Sequence, residues 1–260
     1  MYATVKTALA ALRAEPCKEA ERVDEVLQGW RLRLLARQGD FYHVDTAYGY
    51  KGYIHHDDIE KDVAQLKNSR RIAVNFADVL AAPKVQANEL MTLPRGAVVG
   101  YAGESGIYAH VSLADGQKGY VRKDFLEETT PTTMDENSLR GQLVENALHY
   151  LGTQYRWGGK TALGIDCSGL TFMAYHLCGV DIWRDAYPKE GYPIGKISLA
   201  KAEVGDLLYF PGHVAMLMGD GNIIHSSDAT NGVAIQAINR VSEMMEKLLF
   251  CGTFFNQKLP

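Results

Sequence analysis

The sequence predicts an α+β chain in which two small β-barrels precede one domain built from a helix packed on an antiparallel sheet. Three observations carry that expectation. Residues 12–60 and 79–127 repeat each other at a constant offset of 67 residues, Lys51 against Lys118. An apolar helix face opens directly after a glycine-rich loop, at Cys167, and two apolar runs flank a Gly-Asp-Gly turn at 219–221.

The repeat comes first along the chain. Pro16 matches Pro83, Phe41 matches Tyr108, His43 and Val44 match His110 and Val111, and Gly49 matches Gly116. Lys51-Gly52-Tyr53-Ile54 matches Lys118-Gly119-Tyr120-Val121, with Asp57 and Ile59 against Asp124 and Leu126. Agreement at a single offset means two copies of one module. Each is about 55 residues of short alternating runs, such as 30–35 and 41–44, broken by glycine turns, the pattern of a small barrel. The charged stretch 59–71 reads as a short helix or linker, and the polar, proline-containing stretch 127–137 as a boundary. The expected domains are 1–63, 71–128 and 136–260.

The third domain opens with a helix from about Ser138, with Leu139, Leu143, Ala147, Leu148 and Leu151 on its buried face and Gly152 at its end. A second helix carries Leu170, Met173, Ala174 and Leu177 at i, i+3, i+4 and i+7 and stops at Gly179. That puts Asp166 or Cys167 at its N-cap. Strands are expected at 204–210, 214–218, 223–227, 233–238 and 250–255. With a three-residue loop at 219–221, Met218 pairs with Asn222, so His213 opposes Ser227 and His225 opposes Ala215. The two histidines then lie diagonally on one face.

Composition narrows the function classes. Of 260 residues, 47% are hydrophobic and 22% charged, with a net charge of −4 and no block of like charges. Nucleic acid and anionic membranes are therefore not expected partners. Cys17, Cys167, Cys178 and Cys251 lie far apart with no Cys-x-x-Cys spacing, which argues against a disulfide framework or a cysteine zinc site. A reducing compartment fits best. No basic segment leads into an apolar stretch at the N-terminus, so a cytoplasmic location is expected, although a secreted chain with its signal removed reads the same. Oligomeric state is not legible.

Chemistry concentrates around Cys167. A thiol on the first turn of a helix faces unpaired N–H groups and the positive end of the macrodipole, which favour thiolate and lower a cysteine pKa to ~3.5–7.5. His213 is the candidate base and His225 the group that orients it. His176 is excluded, because nine residues of helix carry it about 13 Å along the axis to the opposite face. A zinc site from Cys167, His213 and His225 lacks a fourth ligand. Cys17, Cys178 and Cys251 read as small core residues.

The motif Tyr155-Arg156-Trp157-Gly158-Gly159, then Asp166-Cys167-Ser168-Gly169, Gly205-Asp206, Gly212-His213 and Ile224-His225, resembles the NlpC (NlpC/p-sixty) cysteine peptidases of bacterial cell-wall turnover over residues 136–256. The resemblance implies a papain-like catalytic domain, with Tyr155 beside the oxyanion hole and no cofactor or metal. The barrels resemble bacterial SH3-like domains. Glu15 and Tyr50 of the first copy stand where the second has Ala82 and Gln117, while Pro83, Lys118 and Gly119 persist. Loss of two polar groups from a preserved frame points to a ligand of the first copy.

That pair resembles the YkfC-type γ-D-glutamyl-L-diamino acid endopeptidases, in which a glutamate before proline and a tyrosine in a Gly-Tyr-x-Gly turn bind the free amine of a terminal L-alanine. The same resemblance implies substrate contacts at Asp166, Ser168 and Asp185. Ala186 departs from the serine usual there, so a side-chain contact is lost at that position. The expected reaction is hydrolysis of the γ-D-glutamyl to diamino-acid bond (L-lysine or meso-diaminopimelate) in peptidoglycan-derived peptides. The alternatives are an endolytic wall hydrolase, a thiol amidase or acyltransferase on the same fold, and a catalytically dead SH3-type binding module.

Overall fold

The computed structural model describes residues 1–61, 66, 68–129 and 134–255. It divides into two compact units, Met1–Thr130 and Pro131–Pro260. The first unit holds β1 (Tyr2–Val5), β2 (Leu9–Arg13), β3 (Arg22–Leu27), β4 (Arg31–Gln38), β5 (Phe41–Thr46), β6 (Lys51–His55) and β7 (Ile59–Lys61). It continues with β8 (Ser69–Ile72), β9 (Phe76–Leu80), β10 (Glu89–Pro94), β11 (Val98–Ser105), β12 (Tyr108–Ser112), β13 (Lys118–Arg122) and β14 (Leu126–Glu128).

The two seven-stranded sheets have the same order, β3-β2-β6-β5-β4-β1-β7 and β10-β9-β13-β12-β11-β8-β14. Each strand of the second starts 67 residues after its counterpart, as Tyr2 to Ser69 and Leu9 to Phe76. The repeat seen in the residues is thus a repeat of topology. The stretch 59–71 is corrected, since it contributes a strand at each end, β7 and β8, which pair with β1 and with β11 and β14. β7 ends its sheet and β8 lies between β11 and β14, and these pairings are why charged residues there run extended rather than helical. The rest of that linker reading falls on residues 62–65 and 67, and part of the one at 127–137 on residues 130–133, outside the described residues.

The copies adhere to each other through Gln28, which is fully buried. Its Nε2 donates to Val98 O at 2.5 Å, its Oε1 accepts from the Ala114 N–H at 2.9 Å, and its own carbonyl accepts from the Val98 N–H at 2.9 Å. Trp30 Nε1 donates to Gly96 O at 2.9 Å. Gly29 must be glycine, because at φ +82° a Cβ would lie 2.1 Å from Val98 O.

The second unit contains α1 (Glu136–Leu148), β15 (Lys160–Thr161), β16 (Gly164–Ile165), α2 (Cys167–His176), β17 (Gly195–Ile197), β18 (Leu207–Phe210), β19 (His213–Gly219), β20 (Asn222–Ser227), β21 (Gly232–Ala237), α3 (Ser242–Met245) and β22 (Phe250–Thr253). Its main sheet is six-stranded, in the order β17-β22-β18-β19-β20-β21. α2 packs against β19, β20 and α1, and all its residues from Cys167 to Tyr175 are buried. The far face of the sheet is closed by Leu208, Phe210, Ala215, Ile223 and Cys251, over which Val241, Met244 and Leu248 pack. Covering both faces turns the central strands into nearly continuous apolar runs.

α1 starts two residues before the expected position, because the Asp135 carboxylate caps it by accepting from the Ser138 N–H at 3.0 Å. Its buried side also differs. Leu148 and Leu151 are exposed, and Arg140 and Asn146 take inner positions instead. Arg140 is accepted there because Asp206 answers its charge at 3.1 Å and the Phe255 ring lies 3.8 Å away.

Candidate active site

The glycine loop and the start of α2 form one hydrogen-bonded knot. Asp166 is the N-cap, and its Oδ1 accepts from the Gly169 N–H at 2.6 Å. Its Oδ2 accepts from the Gly158 N–H at 2.8 Å. Arg184, only 1% exposed, grips the same carboxylate with both terminal nitrogens, at 3.0 and 3.1 Å. It also donates to Ser168 Oγ at 2.8 Å and to Gly159 O at 3.2 Å. A buried guanidinium is tolerated when a bidentate anion and further acceptors meet its donors. Gly159 and Gly169 are required by the close approach this enforces, since a Cβ on Gly169 would sit 2.2 Å from Gly159 O.

Sequence reasoning assigned Arg184 no role. The same knot holds Asp166 and Ser168. Both stand beside Cys167, but the Asp166 oxygens accept from protein donors and Ser168 Oγ lies between Arg184 and Asp166, to which it donates at 3.3 Å. Both side chains thereby tie the glycine loop to the start of α2.

Tyr155 is set by edge pairing. Gly152 N–H donates to Val233 O and Val233 N–H to Thr153 O, which lays the chain along β21, and Tyr155 then bridges to Ile165. Burial, with the nearby Cys167 and Asp166, pushes its phenol up to about 12. It stays a hydrogen-bond donor at any ordinary pH.

The two histidines meet as the register expectation requires. Met216 pairs with Ile224 and Leu217 with Ile223, the register in which Ala215 faces His225. The turn itself is tighter than expected. Asp220 and Gly221 form a two-residue loop with φ of 51° and 70°, and a bulge at Met218 restores the register.

His213 Nε2 lies 2.9 Å from His225 Nδ1, and His225 Nε2 lies 2.7 Å from Gln236 Oε1. An amide oxygen only accepts, so neutral His225 carries its hydrogen on Nε2 and offers Nδ1 as acceptor. His213 then donates from Nε2, leaving its Nδ1 as the free basic nitrogen. Gln236 is a third member of the chain that sequence reasoning missed. It sits in β21 two residues beyond Ala234, which pairs with His225. Finding it required the register of the β20–β21 hairpin.

The electrostatics differ from the expectation of a lowered thiol. Cys167 is 6% exposed, and burial with the adjacent Asp166 carboxylate pushes its pKa up to about 11, against the opposing pull of the Val214 and Ser168 N–H groups. Helix-end donors favour thiolate, but here desolvation is the larger effect. His213 is lowered to about 4, by burial and then by His225, with Asp228 opposing. His225 is lowered by burial, with the Gln236 hydrogen bond opposing. Thiol and imidazole thus both rest neutral.

Tyr155, His213, His225 and Gln236 line one cavity of about 930 Å³. Val214, whose N–H points to the sulfur, is the neighbour of His213 in β19. Asp185 and Ala186 follow Arg184 on a half-buried loop, where Asp185 O accepts from the Tyr187 N–H. His176 is elsewhere, hydrogen-bonded to Asp181 at 2.6 Å and stacked on Phe172.

Glu15 and Tyr50 belong to the first unit. Arg13 of β2 pairs with Tyr53 of β6, so Glu15, just past β2, and Tyr50, just before β6, sit at one end of neighbouring strands. Their backbone frame recurs in the second copy. Cys17 N–H to Glu15 O and Lys84 N–H to Ala82 O are both 2.8 Å, and Thr46 N–H to Tyr50 O has its counterpart in Leu113 N–H to Gln117 O.

Residues 152–251 match the NlpC/P60 family and residues 7–60 the bacterial SH3 domain. The chain is 40% identical over 251 residues to a dipeptidyl-peptidase 6 from Lysinibacillus sphaericus, covering 92% of each chain. It is 34% identical over 151 residues to a gamma-D-glutamyl-L-lysine dipeptidyl-peptidase from Bacillus cereus, covering 52% of this chain and 43% of that one. The crystal structure of an NlpC/P60 family protein from Bacillus cereus superposes with a TM-score of 0.83 at 20% identity, over 98% of this chain and 99% of that one.

Proposed function

Because the chain belongs to the NlpC/P60 family of cysteine-type peptidases, we propose that it hydrolyses the γ-D-glutamyl to diamino-acid bond of peptidoglycan-derived peptides that begin with a free L-alanine, as a step of cell-wall peptide recycling. The observation that carries the mechanism is the chain from His213 Nε2 to His225 Nδ1 to Gln236 Oε1 at 2.9 and 2.7 Å. It frees His213 Nδ1 to take the Cys167 proton as the sulfur attacks the γ-carbonyl. The developing oxyanion is met by the Tyr155 hydroxyl and the Cys167 N–H, the latter on a first turn with no intrahelical acceptor. His213 then returns its proton to the leaving amine, and the same nitrogen activates water to hydrolyse the thioester.

A neutral histidine held by an amide steadies the imidazolium through its dipole, so the site needs no buried carboxylate behind the base. In this reading Glu15 and Tyr50 receive the substrate's terminal ammonium. Support comes from the pair being confined to the first copy, whose frame the second keeps, and from the bond named in the Bacillus cereus relative.

The test is incubation with L-Ala-γ-D-Glu-L-Lys and its meso-diaminopimelate counterpart, read by mass spectrometry. The products should be L-Ala-D-Glu, joined through its ordinary peptide bond, and the free diamino acid, with Cys167→Ala folded and inactive. Equal cleavage of N-acetylated peptide or intact peptidoglycan would point instead to an endolytic wall hydrolase.

A further inference from the structure

The cavity that holds Tyr155 and His213 continues past the histidines to the segment 238–247, where Arg240 and Lys247 line it. Both are exposed, and neither has an ion partner among the described residues. Two cations without an ion partner on one concave wall can each meet an anionic group of a ligand. Glu243 and Asp228 line the same cavity.

The base that takes the thiol proton must hand it to the departing amine, so the leaving group lies against the His213 ring. His213 lines the cavity that Arg240 and Lys247 also line, so that cavity is open to the leaving group. A released diamino acid brings an α-carboxylate, a side-chain ammonium and, in a diamino dicarboxylic acid, a second carboxylate. Cations and anions on one wall match that zwitterion.

We propose that Arg240 and Lys247 form a subsite that reads a carboxylate of the leaving diamino acid, with Glu243 and Asp228 answering its ammonium. The proposal rests on the γ-D-glutamyl reading above. It assigns selectivity to the departing residue, whereas Glu15 and Tyr50 concern the opposite end of the substrate.

The test compares kcat/KM for wild type, Arg240→Gln, Lys247→Gln and the double variant on three peptides: L-Ala-γ-D-Glu-meso-diaminopimelate, L-Ala-γ-D-Glu-L-Lys and the C-terminal amide of the latter. The double variant should lose about tenfold on a peptide whose carboxylate is read, and less than about twofold on the lysine amide. Loss confined to the diaminopimelate peptide identifies the side-chain carboxylate. Loss on both acids but not the amide identifies the α-carboxylate. Equal loss on all three peptides, or no loss on any, overturns the subsite while leaving the γ-D-glutamyl reading intact. If wild type cleaves none of the three, the underlying reading has failed and the subsite falls with it.

Discussion

Replacing Gln236 by leucine removes the acceptor that fixes the protons of the site. His225, 3% exposed, donates from Nε2 to Gln236 Oε1 at 2.7 Å, and its Nδ1 accepts from His213 at 2.9 Å. Without Oε1 the buried N–H loses its partner, at a cost of about 1–3 kcal/mol. The alternative tautomer of His225 then becomes accessible and sets an Nδ1–H against His213. To avoid two facing donors, His213 must move its own hydrogen to Nδ1, where it blocks proton transfer from the thiol. If that cost appears wholly as loss of the competent tautomer pair, kcat falls about 5- to 150-fold. KM should hold, since the ring keeps its place.

Gln236→Glu separates geometry from charge. The carboxylate accepts at the same atom and raises His225 and His213, so it should retain turnover while moving the acid limb of kcat/KM upward from the value set by a base near 4. Initial rates against pH on the tripeptide, with intact fold verified by circular dichroism, measure both effects. Wild-type kcat in the leucine variant would refute the tautomer argument, as would a glutamate variant whose acid limb stays in place.

The resting charge state gives a second expectation. Since the Cys167 thiol is pushed up to about 11, alkylation of free enzyme by iodoacetamide should climb continuously through neutral pH towards that value; a plateau reached by about pH 7 would instead mean a preformed thiolate–imidazolium pair. His213 is depressed in the folded state to about 4, so on acidification the unfolded chain binds its proton first. Its contribution to stability is complete above about pH 6.5 and is lost as pH falls towards 4, roughly 2 kcal/mol after allowing for its partly exposed ring. Urea unfolding of Cys167→Ala with and without His213→Gln checks this, and equal pH slopes would contradict it. In the first barrel, Glu15→Gln should weaken kcat/KM for the free-amine tripeptide by roughly 1.5–3 kcal/mol and barely affect the N-acetylated one, whereas Gln117→Ala should affect neither.

Much of the architecture was legible because it is written in periods and offsets. The barrels repeat residue by residue, and every strand follows the same spacing. The meeting of His213 with His225 was legible because motif order and hairpin register are local. Even the misjudged turn did no harm. A two-residue loop plus a one-residue bulge consumes the same chain as a three-residue loop, so both place Ala215 opposite His225. Strands β7 and β8 escaped notice because short charged segments acquire strand character only from the strands they pair with.

What stayed hidden in the site is what depends on contacts distant in sequence and on burial. Arg184 sits in a loop between Trp183 and Asp185, and nothing in its neighbourhood marks it as buried. Yet its guanidinium ties Asp166, Ser168 and Gly159 together, and with them the position of Cys167. The same burial reverses the electrostatic inference drawn from the helix terminus. Amide donors at the start of α2 do face the sulfur, but the carboxylate that caps them is itself an anion beside it, and both are withdrawn from water. Burial, with the cap that builds the turn of Cys167 adding to it, therefore favours the neutral thiol. In the proposed mechanism, activation then comes from proton transfer to His213 during attack rather than from a thiolate waiting in the resting site.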